Sequence, residues 1–211
     1  AAKSWDAEIS RLEILAARTI DIETGEDDWD IALALAQKDA LSGYVGPTRH
    51  LPKPSFVLTR VPDRGYSAQG DGSDYAHQWE GQTAADAYVN LAQILPIAPE
   101  FAQGVLRNFI SAQNADGNVD WKPGLGGQRI GMLSSPLLAT LTWKTYLHTE
   151  DLGFLRDMFR PLIDFFESWF DRQHDRDEDG HPEWGSTTQS GFDDIPSFVR
   201  WHSWGQGLDI S

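Results

Sequence analysis

Through the middle of this chain, apolar residues return every three or four positions, the spacing that lines up one face of a helix. Ala84, Ala85, Tyr88, Leu91, Ala92 and Leu95 make one stripe. Pro96 and Pro99 interrupt it, and Phe101, Val105, Leu106, Phe109 and Ile110 make a second. Asn114-Ala115-Asp116-Gly117-Asn118 is turn chemistry. A third stripe follows Ser134-Ser135-Pro136 and runs through Leu137, Leu138, Leu141 and Leu147. Thr149-Glu150-Asp151 marks a helix start, and Leu162, Ile163, Phe165, Phe166, Trp169 and Phe170 form the fourth stripe. Upstream, Trp5 to Ile20 and Asp28 to Leu41 read as two more helices around Thr24-Gly25-Glu26-Asp27.

The stripes pair into helical hairpins over roughly 79–112 and 134–174, whose starts lie 55 residues apart (134 − 79). The expected fold is all-α, with repeated hairpins closing toward a toroid. Residues 43–75 break the pattern with glycines at 43, 46, 65, 70 and 72 and prolines at 47, 52, 54 and 62. They predict a long irregular loop region, with Phe56-Val57-Leu58 as a short strand. A second irregular stretch, 117–133, carries Trp121 and Arg129. In a toroid such loops gather at the rim, where a ligand is gripped. Trp143 and Trp169, inside stripes, are expected in the core.

Charge narrows the partners. With 32 acidic residues against 17 basic ones, the net charge of −15 repels phosphate backbones and anionic membranes, so neither nucleic acid nor a membrane is expected. No apolar run approaches the ~20 residues of a membrane span. The absence of cysteine removes thiol catalysis and cysteine-ligated metals. There is no nucleotide loop and no serine-hydrolase elbow, so no organic cofactor is implied. The nine tryptophans suit both a core and a sugar-stacking wall.

The chemistry concentrates in Gly180 to Pro196, a stretch of small, polar and acidic residues after a strongly apolar helix. Asp193 and Asp194 sit beside Phe192 and Ile195. An apolar wall and a neighbouring carboxylate both raise a carboxyl pKa, as a general acid requires. Asp also serves as a cap or turn residue, and two adjacent aspartates alone do not decide between these roles.

The surrounding residues do. Gln189-Ser190-Gly191-Phe192-Asp193-Asp194-Ile195-Pro196-Ser197 resembles the Glu-Ser-Gly-aromatic/Met-Asp-Asn/Phe-Ser-Pro/Ser pattern of inverting glucosidases on the six-hairpin (α/α)6 barrel. These are glycoside hydrolase family sixty-three, the processing α-glucosidase type, and the related trehalases of family thirty-seven. The resemblance makes Asp193 the general acid, with Gln189 where the family usually has Glu. Gln78-Trp79-Glu80-Gly81-Gln82 resembles the family's Trp-Asp helix opening, with Glu for Asp. Ser134-Ser135-Pro136-Leu137-Leu138 resembles a later Ser-Gln-Pro-Pro opening, and Leu208-Asp209-Ile210-Ser211 the Val/Leu-Asp-Leu-Asn opening of the next helix. The matches keep their order over 75–211. They imply a sugar site with an oligosaccharide, an α-glucoside or a related sugar, as substrate; Trp79, Glu80, Gln189 and Asp194 are its expected residues, and Trp121 and Trp184, near the loop segments, join them as aromatic faces that stack on sugar rings.

Asp175, Asp177, Asp179 and Glu183 fall at positions 1, 3, 5 and 9 of a calcium-loop pattern with Gly180 at 6; His181, at 7, could lend its backbone carbonyl. Ser186 stands where the bidentate Glu of an EF-hand would be, so the expectation is a calcium loop of another kind or a solvated acidic turn.

Inverting hydrolysis needs two carboxyl groups ~6.5–9.5 Å apart. The resemblance places the base far downstream. The 211 residues are therefore expected to be a partial barrel, inactive alone, whose C-terminal half is a separate chain or a further segment. A non-catalytic carbohydrate-binding or scaffold module on the same fold is the alternative, favoured by the departures at Gln189 and Glu80. Helical lyases and epimerases rely on Tyr, His or Arg clusters that are not evident here.

Overall fold

The computed structural model describes residues 2–56, 81–124, 132–185, 189 and 208–209. Among them are six helices: α1 (Ala2–Ala16), α2 (Asp27–Ser42), α3 (Ala84–Ile94), α4 (Pro99–Ser111), α5 (Leu138–Thr149) and α6 (Leu152–Ser168). Four two-residue strands pair in twos: β1 (Tyr44–Val45) with β2 (Ser55–Phe56), and β3 (Glu183–Trp184) with β4 (Leu208–Asp209), both antiparallel. The described residues are mostly helical, with these few short strands, consistent with the all-α class that the periodicity predicts.

Local chemistry sets the helix ends. Thr83 caps α3 by accepting the Asp86 N–H at 3.1 Å, and its hydroxyl donates to the Asp86 carboxylate at 2.6 Å. The Gln78–Gln82 segment therefore ends just before the helix it was expected to open. Pro99 starts α4, where a missing N–H costs nothing. Glu150 ends α5 in the left-handed region (φ +53°), and its N–H returns to the Tyr146 carbonyl at 2.7 Å. Asp151 then caps α6 through the Phe154 N–H at 2.9 Å. A two-residue connection thus folds α6 back onto α5.

Each helix packs on the next, and α4 also reaches α6 while α3 reaches α5. The core centres on α4, where Ala102, Val105, Leu106 and Phe109 are fully buried. They meet Leu91 and Ile94 of α3, Leu138 and Leu141 of α5, and Phe154, Met158 and Phe165 of α6.

The described part of the irregular region is anchored. Tyr44 is buried, stacks on Phe101 at 4.8 Å and donates its hydroxyl to Asn90 at 2.7 Å. The buried Asn108 side chain accepts the Lys53 N–H at 2.9 Å and donates to the Lys53 carbonyl at 3.0 Å. Gly104 lets this segment cross α4, since a Cβ there would lie 3.1 Å from the Pro54 carbonyl oxygen. The predicted strand at 56–58 appears as Ser55–Phe56; 57–58 lie outside the described residues.

Two expectations need correction. Trp169 is in the core, but Trp143 is 51% exposed and leans on Tyr146. The buried face of α5 is set by Leu138, Leu141, Thr142 and Thr145, and Trp143 falls outside that arc. Leu208–Asp209 is strand, not a helical turn; it supplies partners for the backbone of Glu183–Trp184.

Candidate functional site

The irregular segments between hairpins are joined into one hydrogen-bonded platform. Gly81 bridges Gly124, and the Gln82 N–H donates to the Pro123 carbonyl at 3.0 Å. The same segment turns its other end to 132–134. The Trp121 N–H donates to Met132 at 2.9 Å, the Ser134 N–H donates to Val119 at 2.8 Å, and Asp120 bridges Leu133. From there the path continues to Gln189. Its Nε2 donates to the Leu133 carbonyl at 3.0 Å, its Oε1 accepts the Gly185 N–H at 2.8 Å, and the Ser135 hydroxyl donates to its backbone oxygen. Gly185 follows β3 directly. A continuous path of hydrogen bonds therefore runs from Gly81 through 119–124 and 132–135 to Gln189 and Gly185.

A second buried glutamine holds the other end. Gln82 accepts from the Ser55 hydroxyl and donates to the Val105 carbonyl at 2.8 Å, tying the platform to β2 and to the centre of α4. Fully buried polar groups need such partners. No sequence pattern marks Gln82 for this role.

Of the expected sugar-site residues, Trp121 and Gln189 are both about 1% exposed and lie within the platform. Trp184 is partly buried and packs edge-on against Trp169 at 5.8 Å. Trp79, Glu80, Asp193 and Asp194 lie outside the described residues. In sequence, Trp79–Glu80 immediately precede Gly81, and Asp193–Asp194 follow Gln189 by four and five positions. Beside Trp121, Asp120 is 7% exposed and Lys122 fully buried, with the Lys122 ammonium 5.9 Å from the Trp121 ring. These buried charges belong to the same platform, although nothing in the Asp-Trp-Lys tripeptide announces their burial. An apolar cavity of 350 Å³ between α1 and α2, with Leu12, Ala16, Ala34 and Leu41 in its wall, holds none of the carboxylates that glycosidic cleavage needs.

The acidic loop is partly assembled. One carboxylate oxygen from each of Asp175, Asp177 and Asp179 lies within 4.8 Å of the others. Asp175 also orders the turn, accepting the Asp179 N–H at 3.1 Å and the Gly180 N–H at 3.0 Å. Glu178 (φ +60°) and Gly180 (φ +86°) supply its left-handed steps. The oxygen chemistry and the sharp turn fit a hard cation. Glu183 and the His181 side chain are not in the cluster. Glu183 accepts the Arg176 N–H at 3.2 Å, and the exposed His181 ring lies against Asp179.

A family model, that of the mannosylglycerate hydrolase MGH1-like glycoside hydrolase domain, matches residues 71–206. The chain belongs to this family. The match spans both glutamines, the platform, the acidic loop and the segment with Asp193, so the platform lies within a glycoside hydrolase domain. No curated protein and no solved structure matches the chain.

Proposed function

We propose that this domain hydrolyses an O-glycosidic bond by inversion, with Asp193 as the general acid. The substrate class is a small α-glycoside: an α-glucoside or a related sugar, including the mannosylglycerate of the family's description. The supporting observation is the platform. The hydrogen-bonded path from Gly81 to Gln189, closed by the Gln189 side chain, joins residues adjacent in sequence to Trp79–Glu80 and four to five positions before Asp193–Asp194. The resemblance to families sixty-three and thirty-seven supplies the rest of the reading. The helices belong to an (α/α)6 barrel, and the general base sits on a later barrel helix. Trp121 and Trp184 back the sugar-binding wall, and calcium on Asp175, Asp177 and Asp179 steadies the loop that leads into it.

The chemistry needs a proton on the leaving oxygen and a water activated from the opposite face. Asp193→Asn removes the first while keeping size and polarity. In the complete protein it lowers kcat on mannosylglycerate or an α-linked glucose disaccharide by about 10²–10⁴-fold, with sugar binding by calorimetry retained. Unchanged turnover would remove Asp193 from the reaction; a wild-type protein that binds the sugar without cleaving it would favour a binding module.

A further inference from the structure

Gln189 occupies a place that only an amide fills without a proton. Its carboxamide is fully buried between two backbone groups of opposite kind, the Gly185 N–H and the Leu133 C=O. The first can only donate and the second only accept, so the partners themselves fix which end of the amide is oxygen and which is nitrogen. Ser135 holds the backbone of the same residue from the other side. Gly185 is close enough that a Cβ on it would lie 3.2 Å from the Gln189 oxygen. Three bonds to one residue therefore fix where the chain departs toward Asp193.

We infer that Gln189 is a positioning residue whose amide ties Gly185 to Leu133 and so holds residue 189, four positions before the acid, in place. This inference rests on the reading of Asp193 as the acid. A carboxylate at 189 would satisfy Gly185 but set an anion against the Leu133 carbonyl. Only a protonated Glu reproduces the pattern, its O–H donating to Leu133 and its C=O accepting from Gly185. The charged side chains on the segments that hold it include Glu183, two residues before Gly185, Asp120, across the bridge from Leu133, and one buried cation, Lys122, beside Asp120. Both carboxylates oppose a further negative charge. Burial acts in the same direction.

The test compares Gln189→Glu with Gln189→Met in the complete protein, following kcat, KM and Tm from about pH 5 to about pH 8, a window that spans the rise expected for a buried carboxyl. The probes are mannosylglycerate and an α-linked glucose disaccharide. Gln189→Glu should match wild type at the acid end, then lose about tenfold in kcat as the introduced carboxyl deprotonates, with KM little changed. Gln189→Met, which keeps the shape without the bonds, should be low in kcat at every pH. A Gln189→Glu profile parallel to wild type overturns the inference. So does a fall in Tm with kcat intact, which would make Gln189 a brace for the fold alone, or a rise in KM alone, which would make it a sugar contact. Wild-type protein inactive on every glycoside would end the glycosidase reading instead. The amide requirement would then be judged on the melting curves, where Gln189→Glu must still lose stability as pH rises and a pH-independent curve refutes it.

Discussion

Gly81 faces Gly124 across an antiparallel bridge, and a Cβ on Gly81 would lie 2.5 Å from the Pro123 carbonyl oxygen. That oxygen is already fixed by the Gln82 N–H. The clash is with backbone and cannot be relieved by a rotamer. Gly81→Ala should therefore cost about 1–3 kcal/mol as local overpacking. In a chain of this size that lowers Tm by roughly 2–4 °C per kcal/mol. Gly43→Ala is the control: its φ is −72°, and nothing lies within 4 Å of an added Cβ. Thermal melts of the two variants test the difference. A Gly81→Ala protein as stable as Gly43→Ala would mean that the bridge yields readily.

The three aspartates of the acidic loop bring one carboxylate oxygen each within 4.8 Å of the others, and the exposed His181 ring lies against Asp179. A bound divalent cation offsets their repulsion and, by binding only the folded form, raises stability by about 2.7 kcal/mol at a hundredfold excess over Kd. For this chain length that is about 5–10 °C in Tm. Asp177→Asn removes one charge without altering the Asp175 bonds that shape the turn, and should abolish most of the gain. Melts in calcium, in chelator and in magnesium decide it. A Tm indifferent to all three removes the site.

The helices are legible because their stripes are long and their ends carry strong signals. Thr83, Pro99 and Asp151 each stop or start a helix by a local bond or a missing one, which needs no knowledge of the rest of the chain. Burial is less legible. Trp143 and Phe166 lie inside apolar runs but are 51% and 58% exposed, because which arc of an apolar helix is covered depends on its neighbours. The platform is the least legible part. Gln189 invites reading as a lost charge when set beside the Glu of the glycosidase pattern. Its role depends on a carbonyl 56 positions away. Gln82 has no local signature at all, since Ser55 and Val105 reach it only through tertiary packing.

Phe109 is fully buried where α4 meets its neighbours, whereas Phe166 is largely exposed on α6. The same deletion at the two sites separates core packing from apolar composition. Phe109→Ala should cost about 3–5 kcal/mol, transfer free energy plus an unfilled cavity. Phe166→Ala in the same chain should stay within about 0.5 kcal/mol of wild type. Urea titrations of both, compared by midpoint at constant m, check the contrast. A large loss at Phe166 would mean that its face is covered in solution.

Asp151 ties α6 to its neighbours through a carboxylate held below its usual pKa. The Phe154 N–H is the largest cause, followed by the Gln103 side chain, which donates at 3.0 Å. Both bonds favour the charged form. A depressed folded-state pKa means that the contribution is fully present above the unfolded value of about 3.9 and is lost as pH falls through the folded value. Asp151→Ala should therefore melt below wild type near neutral pH, and the gap should close as the solution is acidified past about pH 4. Asp151→Asn keeps a capping oxygen without the charge, so its deficit at neutral pH should be smaller. Tm measured against pH for all three proteins tests the sign. A gap that widens on acidification would show that Asp151 is better bonded when protonated, contrary to a cap that accepts from the Phe154 N–H.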